Sequence, residues 1–538
     1  MLDRRLRHPF GLLAATLWAA CSSASYSEDA DREVADVLQE ATARTLADRE
    51  RTVLRPAEEP MPVPGSAAEP ATGAPDPTAP PTPPPAAPAE PIDLQKALAL
   101  ATRQNREFLS RREGLYRSGL SIALTRFDFG PQWDAAVNYV WPRSEGGAES
   151  HAAGTSVSVG QILPTGGRVS VSAGLDAQWP FGPGSGDPVY GSNAGITLTQ
   201  PLLRGAGQAI AWEPLTQAER DLTYAVRDFE LFRQDFTIRI AQQFFDLTSQ
   251  KQTLAIEDAN YDAAVFDRKK AEALQQVGRN SEQEVFRARR REIEAKDQLI
   301  NARAGFDRAV DSFKILLGLP TTTTVELADV EPAYVPVRFE TTSAIAAARQ
   351  NRLDLITERQ RLQDAERSLH IAENGLLPDL SLTASFGTNG AADDLGHAAP
   401  DEWNSSVGLQ FEIPLQRKAQ RNAWRSTQIS VEQARRGLQL IEDQLDLDIR
   451  DAVRRLRSIE ERVVLQEGQI EQERGAVTVI EIRYESGQAD NRDLLEARQA
   501  LVNARNALIR LKVDHFIARL NLLKDMGIFF VDDKGMWR

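Results

Sequence analysis

Val169-Ser170-Val171-Ser172-Ala173-Gly174-Leu175-Asp176-Ala177 alternates without a fault: its odd positions are apolar and its even ones polar or small. Side chains of a strand point to opposite faces in turn, so this stretch is a strand with one apolar and one wetted side. The same period runs through residues 133–141, 156–162 and 194–200, and again through 380–386 and 407–413. Alternating segments of about ten residues between Gly, Pro and Asp turns form the pattern of a transmembrane β-barrel, although a half-buried soluble sheet alternates too. Trp133, Trp141, Trp179 and Trp403 fall in or beside these segments, as the interfacial girdles of a barrel would require. Four to six strands cannot close a barrel, since the small closed ones have about eight. Open sheet edges are not viable in lipid, so several copies must share one barrel.

Between the strands lie helices too long for a globule. The stretch from Glu213 to Val277 has no glycine, and a proline only in its first turn; as a helix it would be about 95 Å long. Its counterpart covers residues 418–486, with isolated Gly437, Gly468 and Gly475. The return segments, 281–317 and 491–526, carry apolar residues in steps of three and four, from Val285 to Leu316 and from Leu494 to Leu522. A sustained 3.5-residue period predicts coiled-coil packing. Glu292 and His515 are the two breaks in those seams, and a lone His515 there reads as a core residue rather than a ligand.

The two halves repeat one plan, which is the feature to seek before all others. Leu94, Ala97, Leu98, Ala101 and Asn105 open one helix, and Ala344, Ala347, Ala348 and Asn351 open a similar one. Gly278 and Gly487, and Gly318 and Gly527, are both separated by 209 residues, so the two helical hairpins are in register. The separation is 247 between Pro131 and Pro378 but 213 between Pro201 and Pro414, which leaves the first half 34 residues longer. That is the length of one extra strand hairpin.

Composition narrows the function. A formal net charge of -14 argues against nucleic acid as a partner, which favours basic patches. The sole cysteine, Cys21, permits no internal disulfide and no cysteine zinc site, and the five histidines show no ligand spacing. No phosphate loop, nucleophile elbow or spaced acid/base pair is present, so no catalytic residue, cofactor or metal is expected. Arg4, Arg5 and Arg7 precede the apolar run 10–20, the pattern of a secretory signal peptide over residues 1–20. Ala19 and Ala20 lead into Cys21 as in a bacterial lipobox, with Trp18 where leucine is usual. Cys21 is then either a lipidation site or an incidental residue beside an ordinary cleavage point. The Pro/Ala-rich remainder of residues 21–90 reads as a tether, with a helix expected near residues 29–49. The first repeat covers 91–330, with strands in 132–200 and a helical hairpin at 213–317. The second covers 331–538, with strands in 379–413, a hairpin at 416–526 and a short tail.

Together these residues resemble the TolC-like outer-membrane efflux protein family over nearly all of 94–526. The matches are the paired Leu/Ala/Asn openings, Gln200-Pro201-Leu202-Leu203-Arg204-Gly205, Leu316-Leu317-Gly318-Leu319-Pro320 and Tyr484-Glu485-Ser486-Gly487. The resemblance implies an α+β membrane protein of two structural repeats. Three copies would form a twelve-stranded transmembrane β-barrel continuous with a long periplasmic, coiled-coil α-helical barrel. The extra hairpin implies either six strands per copy or an excursion outside the barrel. It implies a passive exit duct in the outer membrane, serving tripartite efflux or type I secretion. A periplasmic adaptor and an inner-membrane transporter would dock at the hairpin tips around Gly278 and Gly487. Carboxylates that line the family's closed periplasmic entrance fall here on Asp493 and Glu496, with Glu284 and Arg287 at the first-half positions. Acids are also favoured at any helix N-terminus, so a plain solvated helix start is the competing reading. Ala489 replaces the family's basic residue two positions past the second tip glycine. The rival to a channel is a periplasmic coiled-coil scaffold, suggested by the heptads alone.

Overall fold

The computed structural model describes residues 23–45, 91–141, 149–181, 186–279, 281–328, 330, 334–394, 397–486, 488–489, 491–532 and 535–537. Cys21, Gly487, the expected signal peptide and the Pro-rich run at 46–90 lie outside the described residues. The chain divides into two compact units. A strand-bearing unit takes the described residues within Met1–Thr45, Leu115–Val226 and Thr357–Leu440; a hairpin unit takes those within Leu46–Gly114, Arg227–Ile356 and Ile441–Arg538.

In chain order the helices are α1 (Ser23–Thr45), α2 (Leu94–Gln104), α3 (Arg106–Asp128), a short α4 (Gln208–Ala211), α5 (Glu213–Gln276) and α6 (Glu282–Leu317). After these come α7 (Thr341–Asn351), α8 (Leu353–Asn374), α9 (Lys418–Glu485) and α10 (Asn491–Asp525). The strands are β1 (Gln132–Val140), β2 (Glu149–Ile162), β3 (Arg168–Phe181), β4 (Val189–Pro201), β5 (Asp379–Ala392) and β6 (Glu402–Glu412).

The strand-bearing unit is organised by one antiparallel sheet in the order β1-β2-β3-β4-β5-β6. Of the two alternatives left open, six strands or an excursion outside the barrel, the sheet shows six. The extra hairpin of the first half is part of the sheet and not an excursion, because β2 and β3 pair along their whole length, from Glu149↔Phe181 to Ile162↔Arg168. The motif at 200–205 fastens the base of this sheet to α8. Leu202 N–H donates to the Leu380 carbonyl, Gly205 N–H donates to Asn374 Oδ1 at 2.8 Å, and Arg204 pairs with Asp379 at 2.8 Å.

Helix α1 overlaps the helix expected near residues 29–49, and it is a packed part of this unit. Val34, Val37 and Ala41 are buried at helical spacing. Opposite them α3 presents Gly119, where a Cβ would come within 2.7 Å of Val34 Cγ1, so the missing side chain is the seat of the helix. The Tyr116 hydroxyl donates to Asp31 at 2.5 Å, and Arg126 bonds Glu40 at 3.1 Å. Burial, then the Asp31 carboxylate, pushes the Tyr116 hydroxyl up to about 12. These contacts join residues 85 and 86 apart, so α1 runs parallel to α3 and its C-terminal end is the one nearer the sheet.

In the hairpin unit α6 ends at Gly318, which adopts φ 81, and its N–H and that of Leu319 return to the carbonyls of the last turn. That left-handed cap is open to glycine at little cost. The helices opened by Leu94 and Ala344 are each broken after one short segment. The chain turns extended at Asn105, between α2 and α3, and at Arg352, between α7 and α8. Asn105 serves both sides of its break: its Oδ1 accepts from Phe108 N–H at 2.9 Å and its Nδ2 donates to the Leu316 carbonyl at 2.7 Å. The core of this unit includes Phe236, Phe244, Phe313, Ile240 and Leu247, all fully buried.

Candidate functional site

Cross-strand partners share a face, and the register sorts the sheet into two chemically distinct sides. One row reads Trp133, Val159, Val171, Ile196, Phe386; another, nearer the base, reads Val169, Leu198, Ala384, Val407. The opposite side reads Asp134, Ser158, Ser172, Gly195, Gly387 and Asn404 in one row, and Gly160, Ser170, Thr197, Ser385 and Ser406 in the next. The apolar side is bare: Val137 is 84% exposed, Val407 77% and Leu409 70%. Both edge strands, β1 and β6, are exposed along almost their whole length. Tyr139, Trp141, Trp179, Tyr190 and Trp403 gather at the end of the sheet away from its base, while Trp133 and Phe411 sit near the base. From Trp133 to Trp141 the extended chain covers about 26 Å, the height of a barrel's apolar band between its aromatic girdles.

The hairpin tips are the second part of the site. Gly278 adopts φ 71, and Arg279 N–H returns to the Leu274 carbonyl at 2.9 Å, so α5 ends in a left-handed cap before Ser281 caps α6 by accepting from Glu284 N–H. At the second tip Gln488 N–H returns to the Arg483 carbonyl at 2.8 Å. Glu284 pairs with Arg287 at 2.8 Å, one turn apart on α6, and its second carboxylate oxygen is buried without a hydrogen bond. Glu496 pairs with Arg492 at 2.7 Å on the exposed first turns of α10. The Glu496 hydrogen bond and charge, with Asp493 adding, raise the Arg492 guanidinium above its ordinary value. Asp493 is exposed beside this pair. In one chain, of the four expected gate residues, Glu284 and Arg287 thus pair with each other on α6, while Glu496 pairs with Arg492 on α10 and Asp493 lies alongside.

What joins the two hairpins is a residue that sequence reading missed. Arg498 reaches from α10 to Asp267 on α5 at 3.0 Å and to Glu481 on α9 at 2.9 Å. Asp267 is deeply buried, with its side chain 5% exposed. Burial raises its carboxyl above the ordinary range, with Arg498 opposing that shift. Arg291 of α6 contacts Gln499 of α10, and the Lys270 ammonium lies 4.7 Å from the Tyr484 ring. The only sequence signal was that Arg498 flanks the seam residue Ala497; its Asp267 partner is 231 residues away. Both seam breaks also find partners. Glu292 meets Arg268, and His515, 1% exposed, lies 3.3 Å from Glu460 with its ring against Tyr334. Among the described residues no helix is long and apolar enough to cross a membrane, and no cluster of His, Cys, Asp or Glu could hold a metal ion.

A sheet bare on its apolar side, wet on the other and joined to long helical hairpins defines an outer-membrane channel protein with a periplasmic helical part. Residues 344–527 match the family model described as Outer membrane efflux protein. The chain is 22% identical over 374 residues to the outer membrane protein TolC of Escherichia coli, a match covering 66% of this chain and 74% of that one. Two solved structures show the same fold. The Vibrio cholerae outer membrane protein VceC superposes with a TM-score of 0.60 at 15% identity, over 81% of this chain and 96% of that one. The Campylobacter jejuni outer membrane channel CmeC also gives 0.60, at 16% identity over 81% and 85%. Over residues 344–527 the chain carries the pattern of the outer membrane efflux proteins, and as a whole it is similar to TolC-like outer-membrane proteins; it resides in the outer membrane and extends into the periplasm.

Proposed function

We propose that this protein is the passive exit duct of a tripartite efflux or type I secretion system. Three copies, each built of two repeats, share one barrel and one helical tunnel. The observation that carries the reading is the two-faced sheet with both edges open. A bare apolar face is stable against lipid, and strand edges in lipid must be paired, here by β6 of one copy meeting β1 of the next. A periplasmic scaffold would leave that face in water.

Cargo would be delivered by an inner-membrane transporter through a periplasmic adaptor seated around Gly278 and Gly487. Asp493 and Glu496, repeated around the tips, would concentrate negative charge and favour cations. Glu284 and Arg287 neutralise each other locally and would contribute less to that field. Opening would separate the hairpins that Arg498 ties together. Nothing in the duct performs a chemical step.

Conductance of purified protein in planar bilayers tests the reading, with Asp493→Ala/Glu496→Ala alongside. Small cation-selective openings that lose selectivity in the double variant are expected. Folded protein that never inserts would return the chain to the scaffold class.

A further inference from the structure

From Ile413 to Val431 the chain carries no acidic residue, yet Arg417, Lys418, Arg421 and Arg425 all fall there, in a protein of net charge -14. The stretch leads from the end of β6 into the first turns of α9. All four side chains are exposed, and among the described residues none pairs with a carboxylate. Arg417 donates to the carbonyls of Pro414 and Leu376, Arg421 to Asn422 and Arg425 to Gln428. The next cation on α9, Arg435, does find a carboxylate, Glu432 at 2.8 Å. The fold does not need these charges. The first repeat makes the same strand-to-helix junction 213 residues earlier, with Arg204, Gly205, Gln208 and Trp212 in the four places. Its one cation, Arg204, is neutralised by Asp379.

We propose that Arg417, Lys418, Arg421 and Arg425 form a binding surface for the phosphate headgroups of anionic phospholipids in the periplasmic leaflet of the outer membrane. The inference rests on the sheet facing lipid with its apolar side. Two observations set the patch at the membrane boundary. The apolar side of β6, with Trp403, Val407, Leu409 and Phe411, is continued at the odd positions by Ile413 and by Leu415, which is 95% exposed. The charges begin two residues further on, where contact with acyl chains gives way to headgroups. Along α9, Lys418, Arg421 and Arg425 are three and four residues apart and share one stripe. The half-buried Gln420 and Trp424 and the buried Val431 lie on the opposite side of the helix, so the stripe turns away from the chain's own packing. An acidic protein thus gathers unbalanced positive charge at the level where a leaflet presents its phosphates. Each cation near such a surface is worth about a fivefold gain in binding. Because β6 is an edge of the sheet, a lipid held here stands beside the seam between copies.

Native mass spectrometry of the full-length protein in detergent, with phosphatidylglycerol or phosphatidylcholine added at equal concentration, tests this. The wild type is expected to hold phosphatidylglycerol at least about tenfold more tightly. The Arg417→Gln/Lys418→Gln/Arg421→Gln/Arg425→Gln variant should hold the two lipids alike, whereas Arg435→Gln, whose charge is already paired, should keep the preference. No preference in the wild type, or an undiminished one in the fourfold variant, overturns the proposal. An assembly that falls apart in that variant while the preference persists would give the cations to a neighbouring copy instead. Excess inorganic phosphate is expected not to displace the lipid; displacement would make this a site for a free anion and overturn the lipid assignment. Should the fourfold variant misfold, Lys418→Gln/Arg421→Gln, whose side chains bond no other element, is expected to lose the greater part of the preference. Conductance of the wild type in planar bilayers reports on the channel separately, so failure of the lipid site leaves that reading standing.

Discussion

Gly318 and Gln104 meet backbone to backbone: a Cβ on Gly318 would stand 2.3 Å from the Gln104 carbonyl oxygen. The contact closes the end of α6 onto the break between α2 and α3. Gly527 meets Asn351 in the same way, where a Cβ would lie 2.7 Å from the carbonyl carbon beside the break between α7 and α8.

Alanine at either position must occupy a left-handed conformation and push into a backbone that cannot move alone. Gly318→Ala and Gly527→Ala are each expected to destabilise the fold by about 1–2 kcal/mol from conformation alone, and by more once the clash is included. Thermal unfolding in detergent measures this. An unchanged melting temperature would mean that the helix breaks are not fixed by these contacts.

Arg498→Ala removes the tie to Asp267 on the other hairpin together with the Glu481 pair within its own, and Asp267→Asn weakens only the tie between hairpins while keeping its shape. Both variants should conduct more than the wild type in planar bilayers, Arg498→Ala more so. Wild-type conductance in either case would place the hold on the tips elsewhere.

The same pair predicts a pH dependence. Burial holds the Asp267 carboxyl above its ordinary 3.8 in the folded state. On acidification the folded chain therefore takes up this proton before an unfolded chain would. Stability from this group rises as pH falls through the raised pKa, while the ionic tie to Arg498 is lost in that same window. Open probability should rise on mild acidification in the wild type and respond less in Asp267→Asn. Equal pH responses in the two proteins would count against the assignment.

Opposite sides of one strand should answer a charge differently. Val407→Arg places a cation on the bare apolar face of β6, which costs about 2–4 kcal/mol near the bilayer midplane. Ser406→Arg, one residue away on the wet face, should assemble normally and shift selectivity toward anions. Yield of assembled protein and reversal potential read the two effects, and equal tolerance of both would reverse or abolish the assignment of faces.

The seat of α1 fixes where Ser23 stands. Ser23 lies eight residues before Asp31, and the Asp31 contact with Tyr116 is some 12 residues from the end of α3. In parallel helices that puts Ser23 about 30 Å from the base of the sheet. At that distance from the sheet, the start of α1 is not expected to serve as the membrane anchor. Cys21→Ser is expected to leave carbonate-resistant membrane retention unchanged, whereas Gly119→Leu should unseat α1 and expose residues 23–45 to protease. Release of the Cys21→Ser protein from membranes would show that the lipid, and not the sheet, is the anchor.

Local periodicity made the hairpins legible almost to the residue. The expected helices at 213–277 and 418–486 are observed as Glu213–Gln276 and Lys418–Glu485, because heptads and glycine caps act within a few residues of themselves. The strands were found only in part. β2 was expected from residue 156 and begins at Glu149, and β5 was expected to stop at 386 and runs to Ala392, where glycine, alanine and asparagine blur the alternation. Sequence also counted the 34 extra residues but left open whether they join the sheet. Only pairing between β2 and its neighbours decides that, since a strand edge is satisfied by whatever chain lies beside it. The same holds for Arg498: its charge is written in the chain, but its partners stand on two other helices. The breaks at Asn105 and Arg352 likewise follow from the glycines packed against them, not from helix propensity nearby. The sequence by itself determined the faces of the strands, the period of the helices and their caps, all governed by neighbours along the chain. The tertiary structure decided the strand count of the sheet, the seat of α1 and the tie between the hairpins, because each depends on residues brought together from far apart in the chain.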